Sequence, residues 1–270
     1  MDRWEREAGT AAMLRECRGA LAARGTTVIR ETVGGDEGDV VDWRHYPEGE
    51  VYDPASHIQY FFHRHPGAAA AAAASGAGPV EAGHFHLFLR GEGIPAGTRP
   101  LLLPEIAVAN APPPRQSAPL KRGSRDEVCH LVAIAVDCRG EPVRLFTTNR
   151  WVTGETWYRA DDVIGMLDRV RLRGAAPTPL VSRWIEALVR LFQPEIAALL
   201  RNRDTAIVEW RWRWPRGNVF EDARLETISS FPIDLDARLA AIEMRATDAA
   251  AAPGLRQVRH LPSMAEGWGA

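Results

Sequence analysis

The sequence predicts an α+β fold: an antiparallel β-sheet with helices packed on one face and a C-terminal part that is mostly helical. Three observations carry this. Segments 57–65, 83–90, 129–137 and 142–150 have strand patterning. Segments 3–24, 161–171, 179–192 and 233–246 place apolar residues at helical spacing. Hydrophobic residues make up 46% of the 270 and charged residues 25%, which is enough apolar material for one large core and an ordinary globular surface.

The organisation expected is a single domain over 1–249, with an N-terminal helix (3–24), a sheet core (57–150), a helical part (160–246) and a disordered tail (250–270). In the first helix Leu14, Cys17 and Leu21 form one stripe, and Gly25 ends it. The stretch Trp43–Pro54 has two prolines and no period, so it reads as an ordered loop. The Ala/Gly tract 67–78 is low-complexity. A Pro-rich loop with a basic turn fills 91–127. The clearest hairpin joins 129–137 to 142–150 through Arg139-Gly140. Pairing positions that sum to 279 sets Val136 against Val143, Ile134 against Leu145, Val132 against Thr147 and His130 against Asn149. Thr178-Pro179 is an N-cap and first-turn pair for a helix with Leu180, Trp184, Leu188 and Leu191 on its core face. Pro194 restarts a helix to about Asn202. The alternating run 206–214 (AIVEWRWRW) reads as a strand, and the last helix is capped by Asp234 or Asp236.

The net charge of −2 gives no general surface for nucleic acid or anionic membrane, so neither is expected as a partner. Met1–Glu7 has no apolar core of a signal peptide, and no apolar run reaches the roughly 18 residues of a membrane span. Cys17, Cys129 and Cys138 are odd in number and form no CxxC, which fits reduced thiols and a cytoplasmic location.

The chemistry concentrates in the histidines. Of eight, five lie between positions 57 and 86. Residues two apart on a strand share a face, which groups His57, Gln59, Phe61, His63 and His65 on one strand and His84, His86 and Phe88 on the next. An antiparallel pairing with positions summing to 149 sets His65 opposite His84, His63 opposite His86 and Phe61 opposite Phe88. Opposed Cβ atoms are then about 4.5–5.5 Å apart. Imidazole is the commonest transition-metal ligand at neutral pH, so His57, His63, His65, His84 and His86 are the candidate metal ligands, with zinc or iron expected first and His-ligated haem b left open. Glu48, Glu50, Asp53 or Glu81 could complete a mixed site. His130 reads more readily as a satisfied strand-end residue, and His45 and His260 are weaker still. Glu48, Glu155 and Arg150 are the candidate catalytic groups: carboxylates for acid/base work and a guanidinium for a substrate anion. Trp210, Trp212 and Trp214 alternate with arginines, which a base-stacking platform or, more simply, a packed strand would explain.

The strings HYPEGEVYDPASHIQYFFHRH, GHFHLFLR and LFTTNRWVTGETWY resemble those of an uncharacterised bacterial protein family, over roughly residues 40–245. The resemblance implies no assigned activity. GHFHLF is also similar to the strand-borne HxH of alpha-type carbonic anhydrases, a local and chemical likeness. The expectation is a metal-binding protein, and within that a metalloenzyme acting on a small molecule. A non-catalytic metal- or haem-binding protein, or an interaction protein with a structural histidine cluster, is the alternative. The partner expected is a small-molecule substrate or ligand, with a homodimer as an open assembly.

Overall fold

The computed structural model describes residues 3–66, 81–102, 127–173 and 177–251. The Ala/Gly tract, residues 103–126 of the Pro-rich loop with its basic turn, nearly all of the expected tail and His260 lie outside them.

Six antiparallel strands form one sheet in simple sequence order: β1 (Tyr46–Asp53), β2 (Ile58–His63), β3 (Glu81–Arg90), β4 (Val128–Asp137), β5 (Pro142–Thr148) and β6 (Thr227–Pro232). Helices α1 (Arg3–Ala23) and α2 (Val28–Val33) precede it. A short α3 (Arg150–Thr153), then α4 (Ala160–Met166), α5 (Pro179–Leu191) and α6 (Gln193–Arg213), lie between β5 and β6, and α7 (Leu235–Ala251) follows. The α+β fold is therefore as expected. Among the described residues, no helix is long and apolar enough to cross a membrane.

The core lies between one sheet face and the helices. Ile58, Tyr60, Phe62, Phe85, Leu87, Leu89, Val132 and Ile134 are at most 1% exposed and join Leu14, Cys17, Trp184, Ile185 and Leu188 in one cluster. Period-2 strands and period-3.6 helices supply the matching faces. Pro179 opens α5 as expected. The Thr178 side chain does not cap the helix, because its hydroxyl meets the Tyr60 hydroxyl at 2.7 Å. Asp234 caps α7 by accepting from the Ala237 amide at 2.8 Å.

Two element assignments are corrected. Residues 206–214 are not a strand, because α6 runs through to Arg213. Its buried residues Ile196, Leu199, Leu200, Arg203 and Ile207 keep helical spacing, and that longer period overrides a local Trp/Arg alternation. The stretch taken as a loop holds β1, an edge strand. An irregularity between Tyr46 and Val51, with positive φ at Gly49 and Glu50, hides its period, and an edge tolerates Pro47. β6, short and rich in serine, adds a sheet edge the sequence did not reveal.

The β2–β3 register also differs. Partners sum to 147, not 149: His63 faces His84, Phe61 faces His86, and Gln59 faces Phe88. A two-residue slip keeps every side chain on its face. Gly83 favours this register, since a Cβ there would lie 2.4 Å from the Phe62 ring and 2.8 Å from the His63 carbonyl. In the β4–β5 hairpin Ile134 faces Leu145 as expected, while a bulge sets Val136 against Pro142 rather than Val143.

The sheet curls toward the histidine face. His65, just past β2, has its Nδ1 3.9 Å from Glu226, just before β6. Four strand spacings separate β2 from β6, about 19 Å if the sheet were flat. The histidine face is therefore the inside of a trough.

Candidate metal centre

His63, His65 and His84 each offer a ring nitrogen, and these atoms lie within 4.8 Å of one another. β2 and β3 place His63 and His84 as direct cross-strand partners, and the chain leaving β2 brings His65 back over them. His63 and His84 are 7% and 5% exposed, while His65 is half-buried. The triad can hold a metal ion.

Two carboxylates face the outer nitrogens of this triad. His84 Nδ1 is 2.6 Å from Glu81, and His65 Nδ1 is 3.9 Å from Glu226. With its Nδ1 proton directed at Glu81, His84 turns the Nε2 lone pair inward, where the His63 Nε2 lies at 2.7 Å. One proton lies across that contact, and a metal ion would take the proton's place. A carboxylate behind a histidine fixes its tautomer and raises its basicity toward a metal. Glu81 also binds Arg144. Burial alone would raise the Glu81 carboxyl pKa, but the hydrogen bonds from His84 and Arg144 outweigh it and the pKa falls.

The cluster continues across the sheet. The His86 ring centroid is 4.8 Å from that of His84 and 5.1 Å from that of His63, and His86 Nδ1 is 3.1 Å from His130 Nε2. Burial, reinforced by neighbouring histidines, pushes His63 down to about 3 and His86 well below the usual imidazole range. Burial, then the Arg203 charge, does the same to His130, also to about 3. His65 is lowered as well, chiefly by burial. Neutral imidazoles with available lone pairs are the form that binds metals.

Two clefts open on either side of these rings. One, of about 410 Å³, is lined by His65, His84, His86, Arg144, Phe146 and Thr148 among others. The other, of about 340 Å³, is lined by His45, Phe61, His63, His86, Phe88 and Arg90 among others. His86 and Val152 border both.

The structure brings together four of the five expected ligand residues: His63, His65, His84 and His86. His57 is placed elsewhere. β2 starts at Ile58, and His57 sits in the preceding turn at φ +61°, its Nδ1 2.8 Å from the Tyr52 hydroxyl and 3.3 Å from Glu92. Six residues of strand put it about 20 Å from His63. Of the expected catalytic groups, Glu48 is exposed and pairs with Arg44 at 3.5 Å. Arg150 is buried and pairs with Glu221. Glu155 is buried behind β4, accepting from the His130 amide at 2.9 Å, and burial pushes its carboxyl up to about 7. Sequence reasoning undervalued His130 and His45. His130 follows a β3–β4 irregularity between Leu87 and Phe88 that no spacing rule shows. His45, just before β1, stacks on Phe61 at 3.6 Å.

A curled antiparallel sheet with a histidine-lined trough and helices behind it defines the class: an α+β protein with a candidate metal centre on its open face. The chain belongs to the family described as Domain of unknown function (DUF6969), whose model it matches over residues 8–233. No curated protein and no solved structure matches it.

Proposed function

We propose that this chain is a transition-metal protein whose ion is held by His63, His65 and His84, and that it is an enzyme acting on a small molecule in the adjoining clefts. The observation that carries the reading is the triad itself: three ring nitrogens within 4.8 Å, with carboxylates facing the outer nitrogens of two of the rings. Burying several neutral imidazoles side by side gives little stability that leucine or phenylalanine would not give, so a ligand role accounts for them better than a packing role. Three histidines with a further position open suit zinc, and the same set accepts iron. Such an ion polarises a bound oxygen or lowers the pKa of a bound water to about 7.

The test is elemental analysis of untagged protein, followed by zinc and iron(II) reconstitution of chelator-treated samples. About one equivalent of metal per chain is expected, and His63→Ala with His84→Ala should abolish it. Less than about 0.1 equivalent after reconstitution of folded protein would overturn the reading.

A further inference from the structure

The trough is built asymmetrically, and the asymmetry specifies what it accepts. On β4 the residues between the histidines and β5 are alanines. Ala135 lies between His84 and Arg144, and Ala133 between His86 and Phe146. Both alanines cluster with Phe146, whose ring lines the larger cleft. Arg144 folds back over Phe146, its Cζ 4.1 Å from the ring centroid, so the guanidinium stands over that cleft. It gives one donor to Glu81 and one, at 3.4 Å, to the Ser230 hydroxyl. A guanidinium has five donors, and the rest of this fork has no partner among the described residues. Thr148, on the same wall, is 3% exposed, and its hydroxyl has no hydrogen-bond partner among the described residues. A buried hydroxyl left alone is unfavourable, and a ligand oxygen at that wall would satisfy it.

Both oxygens of Glu81 are taken, by His84 and by Arg144. Glu226 stands 3.9 Å from His65, beyond hydrogen-bond distance, and about half of its side chain is exposed. Arg144 is the cation of this cleft, and it has donors to spare. Across His86 the smaller cleft is different. Its Arg90 and Glu50 are joined to each other through Gln59, and beside them Phe61 and Phe88 stack at 5.7 Å and 26°. The larger cleft offers spare guanidinium donors and an unpartnered hydroxyl, the smaller an aromatic face, and the histidines lie between.

The geometry points to a small organic anion as the ligand, an aryl- or alkyl-substituted carboxylate. Its anionic group lies on Arg144 and Thr148, and its apolar body crosses the histidines onto Phe61 and Phe88. The inference deepens the proposed function by naming the substrate class, and it rests on that reading for what happens to the ligand. The binding itself needs only the trough.

Calorimetric titration of the full chain, both metal-free and zinc-loaded, tests it with three probes: 3-phenylpropionate, propionate and 3-phenylpropylamine. In the metal-free chain 3-phenylpropionate is expected to bind at least about tenfold more tightly than either propionate or the amine, since a charge-assisted pair and a buried ring are each worth about that factor. Arg144→Gln keeps a donor for Glu81 and should remove the preference for acid over amine. Thr148→Val, nearly the same shape, should weaken both acids by about fivefold and guards against loss of fold in the arginine variant. Equal binding of acid and amine by the wild type would overturn the inference. So would a preference that survives Arg144→Gln, or no binding to either form. Metal content, measured on the same samples, decides the metal reading separately: a chain that takes up zinc but ignores the acids loses only this inference.

Discussion

The two faces of β2 and β3 are almost equally buried and chemically opposite. On the helix side, Tyr60, Phe62, Phe85 and Leu87 are at most 1% exposed, packed among aliphatic and aromatic neighbours. On the trough side, Phe61, His63, His84, His86 and Phe88 are between 1% and 8% exposed, yet three of the five carry nitrogens that want protons or metals. Burial is thus not what separates the faces. On the helix side burial is the purpose, and any well-packed apolar set would serve. On the trough side burial is a condition imposed on polar rings, and it holds the pKa of His63 and His86 below the ordinary imidazole value. One face stabilises the fold, and the other uses that stability.

The largest expected effect breaks the comparison directly. Phe85→Ala removes a fully buried ring that packs on Trp184 at 5.9 Å, and should cost about 3–5 kcal/mol in denaturant melts. The adjacent His84→Ala should cost less in the metal-free melt, about 1–2 kcal/mol, because it removes a ring and its hydrogen bonds to His63 and Glu81 rather than core packing. Metal binding should reverse the order: absent in His84→Ala, intact in whatever fraction of Phe85→Ala stays folded. Equal destabilisation by the two changes would make the histidine face a structural core and sink the distinction.

A somewhat smaller effect is expected from pH. Histidines whose folded pKa is depressed contribute stability that is present above about 6.5 and lost as pH falls toward the folded value, here about 3 for His63 and His130. Glu155 has the opposite sign. Its folded pKa is raised to about 7, so its contribution is present below about 4.5 and lost as pH rises through 7. Taking the metal-free protein from pH 7.5 to pH 5 should therefore cost a net few kcal/mol, the histidine loss outweighing the Glu155 gain. Glu155→Gln removes the opposing contribution and should steepen the acid loss. A flat stability profile from pH 7.5 to 5, read by urea melts, would show that the trough rings are not held neutral by the fold.

How much of this was legible in the sequence follows from the same contrast. The helix-side face was readable because alternation in Ile58–Phe62 and Phe85–Leu89 is its direct signature. Assignment of His63, His84 and His86 to the opposite face followed from parity alone. Parity is blind to a two-residue slip, so the pairing of His63 with His84 was missed while the shared face was right. His57 obeys the parity rule but lies outside the strand, where its backbone has turned to positive φ. The irregularity and Pro47 of β1 erase the period that would reveal the strand carrying Glu50 and leading out of His45. Glu226 comes from 161 positions beyond His65 through the curl of the whole sheet, and no local pattern encodes a curl. Glu81 is only a reserve ligand in the sequence, since parity sets it on the face opposite His84; the β3–β4 irregularity between Glu81 and Gly83 is what brings it behind His84.

The smallest effect sharpens the comparison most, because it separates holding a metal from merely burying rings. Glu81 does not enter the triad. It takes the His84 Nδ1 proton at 2.6 Å and is itself held by Arg144. Glu81→Gln keeps the size and can still hydrogen-bond, but loses the charge. If His84 is only a packed ring, the change should pass almost unnoticed, since the contact is partly exposed and the amide still fills the space. If His84 is a ligand, the carboxylate behind it raises the basicity of Nε2, and its loss should weaken zinc binding by about 10–100-fold, or about 1.4–2.7 kcal/mol. Competition with a chromophoric chelator at pH 7.5 measures this. Glu81→Asp should recover part of the loss by restoring charge at a longer reach, which a packing defect would not do. Unchanged zinc affinity in folded Glu81→Gln would mean that the metal, if bound, is held without His84 Nε2, and the ligand set would have to move toward His86 and His130.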